Sequence, residues 1–164
     1  MSTIEDGAPR LRAELERIAR GPGDRRERAQ RVADLVRRAG RYRWVAVYDV
    51  LATEFVVLAW SGPQAPTHPR FPREHGLNGA AVRTRTAVVV QDVSRDARYL
   101  PTLDTTRGEA IFPVLSPSGV VLGTLDVESE RENAFSQEDR RLLSDCAAAL
   151  APLFAEGEGT GSGE

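Results

Sequence analysis

The sequence predicts an α+β fold: a central antiparallel sheet of five to six strands, with helices from both ends of the chain packed on one face. Three observations predict it. Apolar residues recur at helical spacing near both ends, and between them they alternate with a period of two. The strand-like runs are mostly joined by short turns, which suit antiparallel pairing and not parallel crossovers.

In chain order, Leu11, Leu15 and Ile18 lie at helical spacing in a first helix over residues 8–20, which Gly21, Pro22 and Gly23 break. Asp24 is placed to cap a second helix, because its side chain can accept from the unpaired N–H groups of the first turn. Ala29, Val32, Ala33, Val36 and Ala39 form the apolar stripe of that helix, and Gly40 is expected to end it as the left-handed residue. The period then changes. Tyr42, Trp44, Ala46 and Tyr48 alternate with Arg43, Val45, Val47 and Asp49 as a strand, and residues 54–60 form its hairpin partner. Pro63, Pro66, Pro69 and Pro72 mark a loop that cannot be a central strand. Residues 77–84 read as a short helix, 88–90 as a strand and 94–108 as a polar connection. Residues 109–115 and 120–128 are β-rich runs joined by Ser116, Pro117, Ser118 and Gly119, a hairpin signal. Ser136 caps a C-terminal helix, with Glu138 and Asp139 in its first turn and Leu143, Cys146, Ala147, Leu150 and Phe154 along its apolar stripe. The expected organisation is an N-terminal extension over 1–23, one domain over 24–155 and a disordered Gly-rich tail over 156–164.

Composition narrows the chemistry. A chain of 164 residues with 41% hydrophobic and 28% charged residues suits one globular domain with a substantial core. No stretch approaches the roughly 20 apolar residues that span a bilayer, and the first residues lack the apolar core of a signal peptide, so a cytoplasmic location is expected. Cys146 is the only cysteine, which excludes an internal disulfide and a thiolate metal cluster. All 22 basic residues are arginine, which excludes Schiff-base and P-loop lysine chemistry. Residues 1–43 hold 12 arginines against seven acids. Glu16 with Arg20, Asp24 with Arg28, Glu27 with Arg31 and Asp34 with Arg38 form i,i+4 pairs, so a solvated helix face explains this run better than nucleic-acid binding.

Particular local sequences carry a resemblance. They are the strand Arg43-Trp44-Val45-Ala46-Val47-Tyr48, the helix Gly76-Leu77-Asn78-Gly79-Ala80-Ala81-Val82, and Val90-Gln91-Asp92-Val93 with Tyr99 shortly after. The strongest blocks are Glu109 to Leu115 and Gly119 to Ser129, followed by Phe135-Ser136-Gln137-Glu138-Asp139. In this order and spacing they resemble the GAF domain family over roughly residues 29–154. Within it the chain is similar to the free methionine-(R)-sulfoxide reductases, stand-alone GAF domains that use cysteines in pocket loops and carboxylates that hold the substrate's amino group. The resemblance places Glu109, Asp126 and Glu128 at the carboxylates, and His68, Asn78 and Thr102 (or Leu103) at the cysteine positions. None of those three can form a sulfenic acid or a disulfide, so the thiol mechanism is excluded and no catalytic residue is assigned.

Asp126 and Glu128 share one strand face, and Glu109 can join them from the adjoining strand. Three carboxylates facing one cavity repel unless a cation, an amine or a proton sits among them. Capture of an ammonium group is the functional reading; a solvated sheet face, or pairing with Arg95, Arg98 or Arg107, is the alternative. His68 and His75 match no metal motif, but His68 is a plausible pocket contact. Trp60, Phe71, Tyr99 and Phe112 could wall an apolar pocket. Trp60, His68, Phe71, Asn78, Tyr99, Thr102, Asp104, Glu109, Asp126 and Glu128 are therefore the candidate ligand-binding residues, with no metal and no cofactor. The expected function is non-catalytic binding of a small molecule for sensing or regulation. A homodimer through the terminal helices is expected, with Leu11, Leu15 and Ile18 as suspects, and a signal would pass to another protein. The rivals are a reductase-type pocket repurposed without thiols, and an interaction module with a closed pocket.

Overall fold

The computed structural model describes residues 7–157, so residues 1–6 of the expected extension and 158–164 of the expected tail lie outside the described residues. Period-two alternation produces six strands: β1 (Trp44–Val50), β2 (Glu54–Ser61), β3 (Arg70–Pro72), β4 (Val88–Val90), β5 (Gly108–Leu115) and β6 (Val121–Ser129). They form one sheet in the order β3-β2-β1-β6-β5-β4, every neighbouring pair antiparallel. Four helices complete the fold: α1 (Gly7–Arg20), α2 (Arg25–Gly40), α3 (Gly76–Thr84) and α4 (Gln137–Ala149).

Register decides which side chains meet. Trp44 lies opposite Glu128, Ala46 opposite Asp126 and Tyr48 opposite Thr124. Across the other edge of β6, Glu109 lies opposite Glu128 and Ile111 opposite Asp126. Directly opposed residues share a face, so the acids and Tyr48 point to one side of the sheet. Val45, Val47, Ala110, Phe112, Leu125 and Val127 point to the other, into a core completed by Leu15, Val32, Val36, Leu143 and Leu150. Helices α1, α2 and α4 cover that face, as the sequence predicts.

Several expectations are corrected. Leu15 and Ala19 of α1 are fully buried against α2 and α4, so α1 is built into the domain core. Leu11 and Ile18 pack half-buried against the same core. Asp24 does cap α2, in a reciprocal box with Glu27 that satisfies two N–H groups. Gly40 is the last residue of helix α2, but the left-handed residue that caps it is Arg41, with φ +55°, and not Gly40. Gly40 is needed for a different reason: a Cβ there would lie 2.0 Å from the Tyr42 ring. Arg28 is buried and donates to the Ala19 carbonyl, so it is not on a solvated face. The Pro-rich stretch contains the short edge strand β3, where Pro72 disturbs no central ladder. Helix α4 stops at Ala149, and Pro152 leaves only a 3-10 turn over Ala151–Gly157 to carry Leu153 and Phe154 into the core. Among the described residues no helix is long and apolar enough to cross a membrane.

If α1 belongs to the core, Leu15→Ala will lower unfolding stability by about 2–5 kcal/mol. Urea unfolding at several protein concentrations checks this. A loss that grows on dilution would place Leu15 at a subunit interface instead.

Candidate functional site

The side of the sheet away from the helical layer is roofed by α3 and by the loops around His68 and Thr102. Gly76, at φ +70°, makes the turn into α3 that glycine tolerates best, and it sets Leu77 and Asn78 in the first helical turn against the sheet. Between roof and sheet lies a cavity of about 10 Å³ lined by Glu109, Asp126, Asn78, His68, Thr102 and Phe71, together with Tyr48, Gly76, Leu77 and Leu100. It is narrow, with room for about one water molecule in its interior.

The polar groups are held by few partners. Asn78 Nδ2 donates to Asp126 Oδ2 at 3.0 Å, and the Thr124 hydroxyl donates to Asn78 Oδ1 at 2.6 Å. The second bond fixes the Asn78 amide, so its NH₂ must face Asp126. The Tyr99 hydroxyl donates to Glu128 Oε1 at 3.4 Å. Oδ1 of Asp126 and Oε2 of Glu128 are buried without a hydrogen bond in the fold; the Thr106 hydroxyl, also unbonded, lies close enough to Glu128 to favour its ionised form. The Glu109 carboxyl lies against Asp126 and can hydrogen-bond it once it holds a proton.

Relative exposures of 4% for Glu109, 3% for Asp126 and 0% for Glu128 settle one alternative: these acids do not line a solvated face. Nor do the nearby arginines pair with them. Arg95 pairs with Asp92 at 3.4 Å and Arg98 with Asp96 at 2.7 Å. Burial, then mutual repulsion, pushes Glu109 and Glu128 well above the ordinary carboxyl range. Burial raises Asp126 to about 6, against the opposing hydrogen bonds from Glu109 and Asn78. Burial and the neighbouring acids also raise the Tyr48 and Tyr99 phenols, which stay neutral.

Six of the ten candidate residues reach the cavity: His68, Phe71, Asn78, Thr102, Glu109 and Asp126. Glu128 and Tyr99 stand behind its wall, joined to each other and, through the charge of Glu128, to Asp126. Trp60 shares the sheet face but packs half-buried against the cluster of Trp44, Tyr48 and Phe55. Asp104 is exposed, and Phe112 points into the helix-side core, because its place in β5 is one residue out of phase with the cavity face. Tyr48, Gly76, Leu77 and Leu100 were missed. Tyr48 was legible in part, since it shares the alternation of Trp44 and Ala46; the other three carry no periodic signal. Among the described residues no group of three or more His, Cys, Asp or Glu side chains is arranged to hold a metal ion. Cys146 is buried on α4 in the helix-side core, where burial pushes its thiol up to about 12.

Comparison with known proteins follows the same lines. A model of the GAF domain matches residues 24–152. GAF domain-containing protein A of Dictyostelium discoideum is 25% identical over 141 residues, which is 85% of this chain and 87% of that protein. Among solved structures, free methionine-R-sulfoxide reductase from Neisseria meningitidis, in complex with its substrate, aligns with a TM-score of 0.82 at 26% identity, over 94% of this chain and 92% of its own. The type II free methionine-R-sulfoxide reductase from Thermoplasma acidophilum aligns with a TM-score of 0.75 at 28% identity, over 87% of this chain and 96% of its own.

The raised carboxyls make stability depend on pH. The folded chain keeps protons that the unfolded chain releases near pH 4. Their contribution is therefore fully present below that pH, and it is lost as pH rises through the Asp126 value of about 6 and beyond. Each retained proton gives a slope of about 1.4 kcal/mol per pH unit. Glu109→Gln, which cannot titrate, will flatten the decline seen by urea unfolding between acid and neutral pH. Equal slopes in the two proteins would refute the shared-proton arrangement.

Proposed function

Since the chain belongs to the GAF domain family, we propose that it is a non-catalytic sensory or regulatory domain whose cavity binds a small molecule bearing a cationic amine. One observation carries this reading: two buried carboxyls, Glu109 and Asp126, line one cavity, a third, Glu128, stands behind its wall, and no arginine lines it. A primary ammonium supplies both the positive charge and an N–H donor for Asp126 Oδ1, which has no hydrogen bond in the fold. The Neisseria protein, similar in fold and 26% identical, is a reductase of free methionine-R-sulfoxide, and an amino acid carries such a group.

The absence of turnover is supported by what stands in the cavity. His68, Asn78 and Thr102, which the resemblance sets at the positions of the reductases' cysteines (Leu103 being the alternative to Thr102), all line it. The single thiol, Cys146, lies across the sheet in the opposite core. Sulfoxide reduction through thiols needs an attacking thiolate and a resolving thiol at the substrate.

The narrowness of the cavity favours a second reading, an interaction module with a closed pocket. In the leading reading the site around the acids takes an ammonium head, and the loops around His68 and Thr102 part to admit the rest of the ligand. Occupancy then changes a surface that a partner protein, or a second copy of the chain, can read. It does so only to the extent that ligand affinity differs between the two loop positions.

Thermal-shift titration with L-methionine-(R)-sulfoxide, methionine and cyclic nucleotides tests this. A ligand at 100 times its dissociation constant adds about 2.7 kcal/mol of stability, readily seen as a raised melting temperature. The shift is expected with an amine-bearing ligand and is expected to vanish in Asp126→Ala. No shift with any of them would favour the closed-pocket reading.

A further inference from the structure

Resting on the reading of the cavity as an amine site, we infer that a cation enters it only in exchange for protons, so that occupancy reports ligand concentration and pH together. The arrangement of the cluster carries the inference. Glu109 projects from β5, and Asp126 and Glu128 from β6. Facing them are Tyr48 from β1, Asn78 from α3, Thr124 from β6, and Tyr99, Thr106 and His68 from the loops, with Asp96 close enough to repel Glu109. None of the facing groups is a fixed cation, and Asp96 adds a further negative charge that Arg98 already holds.

The fold offers these acids one donor from Asn78 and one from Tyr99, with the Thr106 hydroxyl close to Glu128. Asp126 Oδ1 and Glu128 Oε2 remain without a hydrogen bond, and Glu109 has only Asp126, another acid, as its side-chain partner. Three carboxylates at such a spacing, out of water, cannot all be ionised without a compensating positive charge. In the empty cavity that charge is protons, one of them shared between Glu109 and Asp126. Burial and mutual repulsion push Glu109 and Glu128 well above the usual carboxyl range, and burial raises Asp126 to about 6, so the cluster gives up its protons at higher pH than free carboxyls do.

A primary ammonium brings one positive charge and three N–H donors, so it can replace the protons in both of their roles. On entry the carboxyl O–H bonds break, the protons pass to solvent, and the amine keeps all its own bonds. Net charge in the cavity is conserved when one proton leaves for each ammonium bound. At low pH the protons win and the cavity rejects cations. As pH rises, apparent affinity strengthens by about tenfold per pH unit for each proton released.

The probe is methylammonium, with tetramethylammonium at matched ionic strength as a control that has the same charge and no N–H donor. Binding to the wild-type chain is followed by thermal shift from about pH 5 to about pH 8, where acids with raised pKa values titrate. Carbon-13 NMR of labelled Glu and Asp carboxyls reads their protonation directly. Methylammonium affinity is expected to rise about tenfold per unit, with carboxyl signals moving to their ionised positions on addition at constant pH. Glu109→Gln, which removes one of the cavity acids, is expected to weaken methylammonium binding and to make its pH slope shallower. Binding of constant affinity, with carboxyl protonation unchanged, would overturn the exchange while leaving the amine site intact. No methylammonium binding at any pH, together with no effect of Asp126→Asn on any ligand, would overturn the amine site and the exchange with it.

Discussion

Strand β6 is hydrogen-bonded along both edges, to β1 and to β5, and nearly every one of its residues is buried. Such a strand has no solvent face on which to carry charge, yet Asp126 and Glu128 belong to it. Leu125 and Val127 alternate with them and pack into the helix-side core. A slip of one residue would drive both acids into that core and lift the apolar pair into the cavity. Register, core composition and site chemistry are thus one constraint.

Placing acids there is unfavourable unless their charge is removed or matched. The fold matches it only partly. The relay from Thr124 through Asn78 to Asp126 joins β6 to the first turn of α3, so the same two hydrogen bonds that serve the acid also hold the roof of the cavity. Donors inside a water-poor space act more strongly than at a surface, and leaving any of them unmatched costs correspondingly more. Tyr99 plays a similar part for Glu128 at longer range. The remaining oxygens keep their proton affinity high, and this open demand is what a ligand can satisfy.

Much of this was legible in the sequence. Period two put Asp126 and Glu128 on a common face, the resemblance added Glu109 from the adjoining strand, and the helical stripes of α2 and α4 identified the opposite layer. Resemblance, and not periodicity, pointed to His68, Asn78 and Thr102, which do meet in the cavity. What escaped depends on tertiary approach. The left-handed turn at Arg41 follows from Tyr42 closing over Gly40, a contact that no local pattern encodes. Arg28 looked like part of a charged surface until α1 packed across it and presented the Ala19 carbonyl. Trp60 and Phe112 are aromatic residues of the right type whose position along the sheet or phase along the strand sends them elsewhere. Asp104 was chosen for its chemistry in a loop whose path the sequence does not specify.

The sheet also separates two energetic tasks. On the helical side lie close-packed aliphatic residues from three helices and four strands, with Arg25 tying α2 to Asp49 of β1 and lying 5.0 Å from the Phe154 ring centre. Burial of that kind supplies most of a domain's stability. On the other side lie buried acids, orphan oxygens, a glycine turn at positive φ and a roof held to β6 by hydrogen bonds. A domain with a stability of ordinary size can carry so many unfavourable groups only if they are confined to one face and the opposite core is intact. Confinement also explains why the lone cysteine has no part in the cavity: it belongs to the layer whose work is packing, and β-strands stand between its sulfur and the acids. The side chains that line the cavity thus offer oxygen and nitrogen donors and acceptors and no thiol.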